Sequence, residues 1–499
     1  MKLNEFKTYK EGNRLEMKAA QGRDGTGAVP RSAWETLSAF ANTSGGTIVL
    51  GVKEPEPGVF EVIGLGNPDK VLDDFWNAAL SKGKVSARFL KDEDASIEEV
   101  DGKRIVVIRV PWVDRHSRPV YINDDLFGGT FRRTHTGDHL CGREEVLSMM
   151  RDADTSSADG RVIDGARMDD LDYGTIERYR NAFRAERSGS EWNGYDDVDF
   201  LRAIGATGKG DDGQDHPTGA GLLMFGKDRW ITDEFPHYFL DYRQEAGTSE
   251  RWADRFTSQP GDWSGNVYDF YFRVYNKLKA ALKVPFGLDA DMRRIDDTPA
   301  HKALREAIAN CLTNANYYER RGIACVWRDD AITIENPGDF RLPIEEARKP
   351  GTSDPRNEVM LKILSFVSIG ERAGSGMGTI ENGWIAGGYA APRYEVAFGP
   401  DRTTLTLPLV SFDLMLSKTV EDRRSSVEVP SKTVEDDLTS RQRAVIEFLD
   451  AAGPSRTAEI AEGIGMGTSQ TNVLLRSLID LGLVDVSGAT SARRYRLMR

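Results

Sequence analysis

Cysteine is scarce in this chain. The 499 residues hold three, Cys141, Cys311 and Cys325, with no close pairing in sequence. That excludes a disulfide framework and a cysteine-based zinc site. Long apolar runs are missing as well: nothing approaches the roughly 18 consecutive apolar residues that a membrane-spanning helix needs. The opening MKLNEFKTYK lacks the apolar centre of a signal peptide. A cytoplasmic protein with no membrane association is therefore expected. An excess of positive charge is also absent. Sixty-six basic residues face 79 acidic ones, a net charge of −13. This argues against a surface that binds nucleic acid all over, and leaves room for a local basic groove. Two basic clusters are candidates: Arg132–Arg133 with His135, and Arg493, Arg494 and Arg496 with Arg499.

The periodicities that are present divide the chain. In residues 1–152, RSAWETLSAFAN sets Ala33, Leu37, Phe40 and Ala41 at helical spacing, and TSGG stops that helix. TIVLGV, KRIVVIRV and PVYI read as strands, and GREEVLSMMRDA as a closing helix, so this block is α+β. Residues 156–170 are mostly polar and read as a linker. Residues 171–295 form a mixed connecting domain, with a strand expected at GAGLLMFG and a long helix around NVYDFYFRVYNKLKAAL. Residues 296–410 contain a strong helix, HKALREAIANCLTNANYY, then two strands joined by an Asp-Asp turn in GIACVWRDDAITIENPG, then a glycine-rich loop at RAGSGMG. Residues 411–438 are a charged, serine-rich linker that carries SKTVED twice, at 417–422 and 431–436. Residues 439–499 read as three helices followed by a hairpin, the order of a winged helix-turn-helix.

The N-terminal block resembles the Schlafen/AlbA-type domain. The resemblance rests on LEMK, on SAFANTSGGTIVLGV at 38–52, and on RPVYIN with GGTFRRTHTG at 118–137. Schlafen relatives that cleave RNA use three acidic residues, which fall here on Glu11, Glu16 and Glu54, the last a glutamate where aspartate is usual. Such a trio implies Mg²⁺ or Mn²⁺, because convergent carboxylates repel one another without a cation. The cation would hold a scissile phosphate. Lys18 would steady the developing charge, and Arg132 and Arg133 would hold the nucleic-acid backbone. The alternative is that Glu11 and Glu16 are solvated surface charges around a first strand.

Residues 296–410 resemble the GHKL-type ATPase-like module that follows this domain in bacterial RecG-related, regulator-like proteins. ALREAIANCLTNANYY, ITIENPGDF and RNEVMLKILSFVSIGERAGSGMG carry that resemblance. It implies an ATP site in a GHKL-like α/β sandwich. Glu306 would activate water, and Asn310, four residues on along one helix face, would hold Mg²⁺. Gly374, Gly376 and Gly378 would approach the phosphates with bare backbone. Asn336 and Gly338 stand where the family's base-reading Asp-x-Gly lies, so the aspartate is replaced. The alternative is a degenerate fold kept for packing or dimerisation.

In the C-terminal block, Gln470 and Thr471 fall at the start of the third helix, where a recognition helix meets the major groove. Arg493, Arg494 and Arg496 fall on the wing, where they would contact phosphates. A winged helix that binds protein is the alternative. Three readings of the whole follow: a nucleic-acid-binding, nucleotide-regulated protein with metal-dependent nuclease activity on RNA or single-stranded DNA, placed first; an ATP-binding DNA-binding transcriptional regulator without catalytic activity; and an ATPase-like oligomeric scaffold. The expected partners are nucleic acid, DNA or RNA, and further copies of this chain in a homo-oligomer.

Overall fold

The computed structural model describes residues 14–22, 26–56, 59–134, 137–154, 157–245, 252–282, 297–370 and 374–410, and in the last block 444–446, 448–449, 452–464, 466–480, 484–487 and 494–497. Glu11, Arg493 and the repeat-bearing linker lie outside the described residues. The chain divides into two compact units, Met1–Ser417 and Lys418–Arg499.

The first unit opens with β1 (Leu15–Lys18), α1 (Arg31–Asn42), β2 (Gly46–Leu50), β3 (Val52–Glu56), β4 (Val59–Val62), α2 (Pro68–Leu80), β5 (Ala95–Val100) and β6 (Lys103–Val110). A four-stranded sheet runs β1-β2-β6-β5, with β1 parallel to β2 and the other neighbours antiparallel. Strand alternation gives the sheet two apolar faces. Ile48, Leu50, Val106 and Ile108 face α1 and α2, while Leu15, Met17, Val49 and Val107 pack with Phe60 and Val62 of the β3–β4 hairpin.

The SAFAN stretch has a structural task. Ser38 and Asn42, one turn apart on α1, are fully buried. Ser38 Oγ donates to the Val120 carbonyl (2.7 Å) and accepts from the Phe131 N–H (3.0 Å). Asn42 donates to the Val120 and Phe131 carbonyls and accepts from the Val120 N–H. These bonds satisfy buried backbone groups of two loops at once. They hold the hairpin of β7 (Phe131–Thr134) and β8 (Gly137–Leu140) against α1. PVYI forms isolated bridges from Tyr121 and Ile122 rather than the expected strand, because its backbone bonds go to these side chains and to neighbouring loops.

After α3 (Arg143–Ala153) come α4 (Tyr173–Glu186), α5 (Asp197–Ile204), the β9 (Thr207–Lys209) and β10 (Asp215–Pro217) pair, α6 (Gly219–Phe225), α7 (Asp228–Glu234), β11 (Leu240–Glu245), β12 (Trp252–Thr257) and α8 (Val267–Leu278). Then follow α9 (Pro299–Asn314), β13 (Ile323–Trp327), β14 (Ala331–Pro337), α10 (Ile344–Ala347), α11 (Glu358–Ser365), α12 (Gly376–Ala386), β15 (Arg393–Ala397) and β16 (Arg402–Pro408). A six-stranded sheet runs β12-β11-β13-β14-β16-β15, with β11 and β13 parallel.

Three expectations change. The boundary at 295 does not separate two packing units: β11 and β12 complete the sheet of β13–β16, and one core spans Ile163 to Leu407. Residues 157–170 are not a linker. Ile163 and Ala166 are buried in that core, and Asp159 accepts the Met360 N–H (2.7 Å) at the start of α11. The polar composition misled because its groups bond inward. GAGLLMFG is the helix α6, not a strand. Thr218 caps it by accepting the Gly221 N–H (3.1 Å), and all seven helical residues are buried. Glycine lets this helix lie on the preceding backbone: a Cβ at Gly221 would stand 1.8 Å from the Ala206 carbonyl oxygen.

In the second unit, residues 444–446 and 448–449 are helical. They are followed by α13 (Thr457–Gly463), α14 (Thr468–Asp480) and an antiparallel pair, β17 (Val484–Ser487) with β18 (Arg494–Leu497). Val445, Leu449, Ile460, Leu475, Leu478, Val484 and Tyr495 form its core.

Replacing Gly221 with alanine should destabilise the first unit by about 3 kcal/mol, at the upper end of overpacking effects. Urea denaturation checks this, with Gly189→Ala, whose Cβ meets nothing within 4 Å, as the near-neutral control.

Candidate functional site

Small residues build a cleft in the first unit. Ala300, Ala303 and Ala307 run along α9, opposite Gly376, Gly383 and Gly387 of the α12 segment. A Cβ on Gly383 would lie 2.8 Å from the Pro299 carbonyl oxygen, and one on Gly387 would lie 2.7 Å from Ala300 Cβ. The two helices approach closely because those Cβ atoms are absent. Trp384, fully buried, anchors α12 by donating to the Pro408 carbonyl (2.8 Å). The N-terminus of α12 thereby faces Glu306 and Asn310, one turn apart on α9. Asn310 Nδ2 donates to Glu306 Oε1 (3.2 Å). A Cβ on Gly376 would stand 2.6 Å from that carboxylate oxygen and 2.7 Å from the amide nitrogen.

The cleft between these helices, β14, β16 and the segment 339–355 encloses about 1010 Å³, counting its open mouth. Ile334, Phe340, Leu361, Ile380, Tyr394 and Leu405 give it an apolar wall. Glu306, Asn310, Asn314, Gly374 and Gly376 form its polar end. Asn336 and Thr403 are cross-strand partners that also line it. The Thr403 hydroxyl donates to the Gly338 carbonyl (2.8 Å). An apolar wall suits a planar ring, and a helix N-terminus with bare backbone suits an anion. An adjacent carboxylate and amide suit the hydrated cation that accompanies phosphates.

Of the residues expected to hold a nucleotide, Glu306, Asn310, Asn336, Gly374 and Gly376 meet in this cleft. Two do not. Gly378 lies within the first turn of α12 rather than in a loop, and does not line the cleft. Gly338 makes room instead for an arginine: its φ is +100°, and a Cβ there would stand 2.6 Å from Arg356 Nη1.

Behind the cleft runs a charged seam. Asp152 at the end of α3 receives Arg356 (3.0 and 2.7 Å) and Arg341 (3.2 and 3.0 Å). Burial alone would raise its pKa, but the two guanidinium groups outweigh it and hold the carboxyl well below the usual range. Arg115 pairs with Asp354 (2.8 Å), and Arg118 donates to the Arg341 carbonyl (3.1 Å). Arg132 Nη1 lies 2.8 and 2.6 Å from the two Asp401 oxygens, with Asp339 and Glu145 close by. Sequence reasoning missed Asp152, Asp339, Asp354, Arg341 and Arg356 as a group. A signal was present: Asp339-Phe340-Arg341 and Asp354-Pro355-Arg356 repeat an Asp-x-Arg triplet at the two ends of one segment.

The expectation that Arg132 and Arg133 face a nucleic-acid backbone is corrected. They are 5% and 3% exposed, and both are neutralised. Arg133 bonds Glu16 Oε2 (2.7 Å) and Asp138 Oδ1 (2.9 Å) and lies over the Phe40 ring. Lys18 holds the other Glu16 oxygen at 2.6 Å. Glu16 therefore meets two cations where the resemblance implies oxygens open to a metal. Glu54 stands exposed on β3, beyond Gly51, whose N–H bonds the Lys18 carbonyl. Among the described residues no three His, Cys, Asp or Glu side chains gather as a metal site. Both Glu16 oxygens accept from cations here, and Glu11 lies outside the described residues.

In the second unit, Thr471 is fully buried and bonds the Gly467 carbonyl (3.1 Å), which removes it from any groove-facing surface. Gln470 falls in the first turn of α14. Arg494 donates to the Pro454 carbonyl (2.9 Å), and Arg496 pairs with Asp485 (2.7 Å); both are exposed on the hairpin.

Residues 9–141 match the family described as "Schlafen, AlbA_2", and residues 322–407 match "ATP-dependent DNA helicase recG C-terminal". Residues 147–241 match a domain of unknown function, DUF8451. Among solved structures, the N-terminal domain of a RecG-related protein from Nitrosomonas europaea is 30% identical over 28% of this chain and 90% of that one, with a TM-score of 0.21. The DIP2311 protein from Corynebacterium diphtheriae is 15% identical over 97% of this chain and 95% of that one, with a TM-score of 0.40. No curated protein matches. The chain carries a Schlafen/AlbA_2 domain and joins it to a RecG C-terminal, HATPase-like domain. No helix among the described residues is long and apolar enough to cross a membrane.

Asp152→Asn should lower stability at pH 7 by about 3 kcal/mol or more, because it leaves two buried arginines without their carboxylate. A depressed carboxylate pKa contributes stability that is complete above the unfolded value near 4 and lost as pH falls. The gap between wild type and variant in urea midpoint should therefore be full from pH 5 to 7. It should narrow below about pH 4 by up to ~1.4 kcal/mol per unit.

Proposed function

We propose that this chain is a nucleic-acid-binding protein whose engagement is set by ATP in the cleft between α9 and α12. The cleft itself carries the reading: an apolar wall at one end, and at the other a glycine-opened helix N-terminus beside Glu306 and Asn310. The α12 N-terminus and the backbone at Gly374 and Gly376 would receive phosphates. Asn310 would hold the accompanying Mg²⁺, and Glu306 is placed to orient water. Asn336 and Thr403 would meet the base. The family description of residues 322–407 supports a nucleotide at this place.

The Schlafen/AlbA_2 domain and the C-terminal unit supply the nucleic-acid side of this reading. The helices and hairpin of the second unit suit a winged helix, with α14 toward a groove and Arg494 toward a phosphate. Binding rather than cutting is favoured, because Lys18 and Arg133 already neutralise Glu16, the carboxylate that would have to attract a cation.

Titration with a fluorescent ATP analogue should give saturable binding in the presence of Mg²⁺. Gly376→Val, which pushes a side chain into the Glu306–Asn310 end, should weaken it at least tenfold, measured at a temperature where circular dichroism shows the variant folded. Gel-shift titration of labelled DNA and RNA should then show affinity that depends on ATP. Absence of saturable nucleotide binding by the wild type sinks the proposal.

A further inference from the structure

One stretch of backbone has two faces. Residues 339–355 wall the cleft, and Asp339, Arg341 and Asp354 line it directly. The same three residues form the seam with the Schlafen/AlbA_2 domain and its closing helix. Asp339 lies beside Arg132, Arg341 bonds Asp152, and Asp354 bonds Arg115. Asp339, Phe340 and Arg341 also line a smaller cavity on the far side, with Arg115, Arg118 and Arg132. No further residue has to relay anything between cleft and seam, because the side chains are shared.

We infer that segment 339–355 is a reciprocal coupler: a nucleotide in the cleft and the Asp152 carboxylate compete for Arg341, so that occupancy loosens the seam to the N-terminal domain. This rests on the nucleotide reading above and adds its route of regulation. The electrostatics give the direction. A polyphosphate brings negative charge to a cleft whose wall already holds Asp339 and Asp354, and Arg341 is the wall cation that can answer it. Arg341 is tied to Asp152 at 3.0 Å and lies 3.5 Å from Asp354. Drawing it toward phosphate removes half of Asp152's partners and leaves Asp354 to Arg115 alone. Arg118, which donates to the Arg341 carbonyl, moves with the backbone. The N-terminal domain thus meets the ligand's charge through three ion-paired contacts rather than through a distant relay. Linkage requires the reverse as well: weakening the seam from the N-terminal side must strengthen nucleotide binding by the same factor.

The test uses the full chain. Hydrogen–deuterium exchange with and without a saturating non-hydrolysable ATP analogue and Mg²⁺ should show slower exchange at the α12 N-terminus. Faster exchange is expected in 114–120 and 148–153. In parallel, Asp152→Asn, which lies outside the cleft, should bind the analogue about fivefold tighter or more, a typical coupling. Should that variant not fold, the exchange pattern of the wild type decides alone. Nucleotide binding with unchanged exchange in both N-terminal stretches overturns the coupling and leaves the nucleotide reading standing. Unaltered or weaker analogue binding by a folded Asp152→Asn does the same. No binding of the analogue at all overturns both.

Discussion

A carboxylate taken out of water must bring its cations with it, and Asp152 brings two. Arg341 and Arg356 come from opposite ends of the segment that walls the cleft, so one part-buried charge fixes both ends at once. Gly338, in the left-handed region, exists to let Arg356 through. Arg356 in turn donates to the Asn314 carbonyl at the last turn of α9 (2.6 Å). The cleft wall and, through Arg356, the end of α9 are both tied to that carboxylate. Replacing the network with apolar side chains of equal volume could hold the pieces together as well. Such a core would have no charge with which to notice an anion.

The second constraint is the absence of side chains. Glycines on α12 and alanines on α9 let two backbones approach until Glu306 and Asn310 stand at a helix N-terminus. Polar chemistry is positioned here by apolar economy: the close approach is an effect of packing, and the site is its by-product. On the N-terminal domain the logic reverses. There Ser38 and Asn42 are buried polar residues whose hydrogen bonds fix two loops, and through them the strand carrying Arg132 and Arg133.

Much of this could be read from the sequence, and the failures have a common cause. The α1 helix, the β2 and β6 strands and the α9 helix follow from periodicity, which is local; the Glu306–Asn310 pair comes from the resemblance to the GHKL-type module. Whether an arginine is a surface contact or a buried partner is not local. Arg132 looked basic and free because Asp401 lies 269 residues away. The stretch 157–170 looked like a linker because its polar groups bond to α11, about 200 residues further on. GAGLLMFG looked like a strand because an apolar run has no period of its own, and only its contact with the Ala206 backbone explains the glycine. Glu16 offered a carboxylate in the right place, and the structure adds the two cations that occupy it.

The parallel pairing of β11 with β13 has a consequence for how the chain acquires its shape. Leu240 stands opposite Ile323, with α8 and α9 between them in sequence. Closing a loop of that length must precede the reward from the pairing, and contacts of this kind form slowly. During synthesis the aromatic residues of α4–α8 would emerge before Tyr317 and Phe366, against which they pack, and before the rest of their sheet. The segment matched to the RecG-type family begins at 322, directly before β13. The matched segment therefore holds four of the sheet's six strands, and in this chain the edge of β13 is covered by β11, which the preceding residues supply.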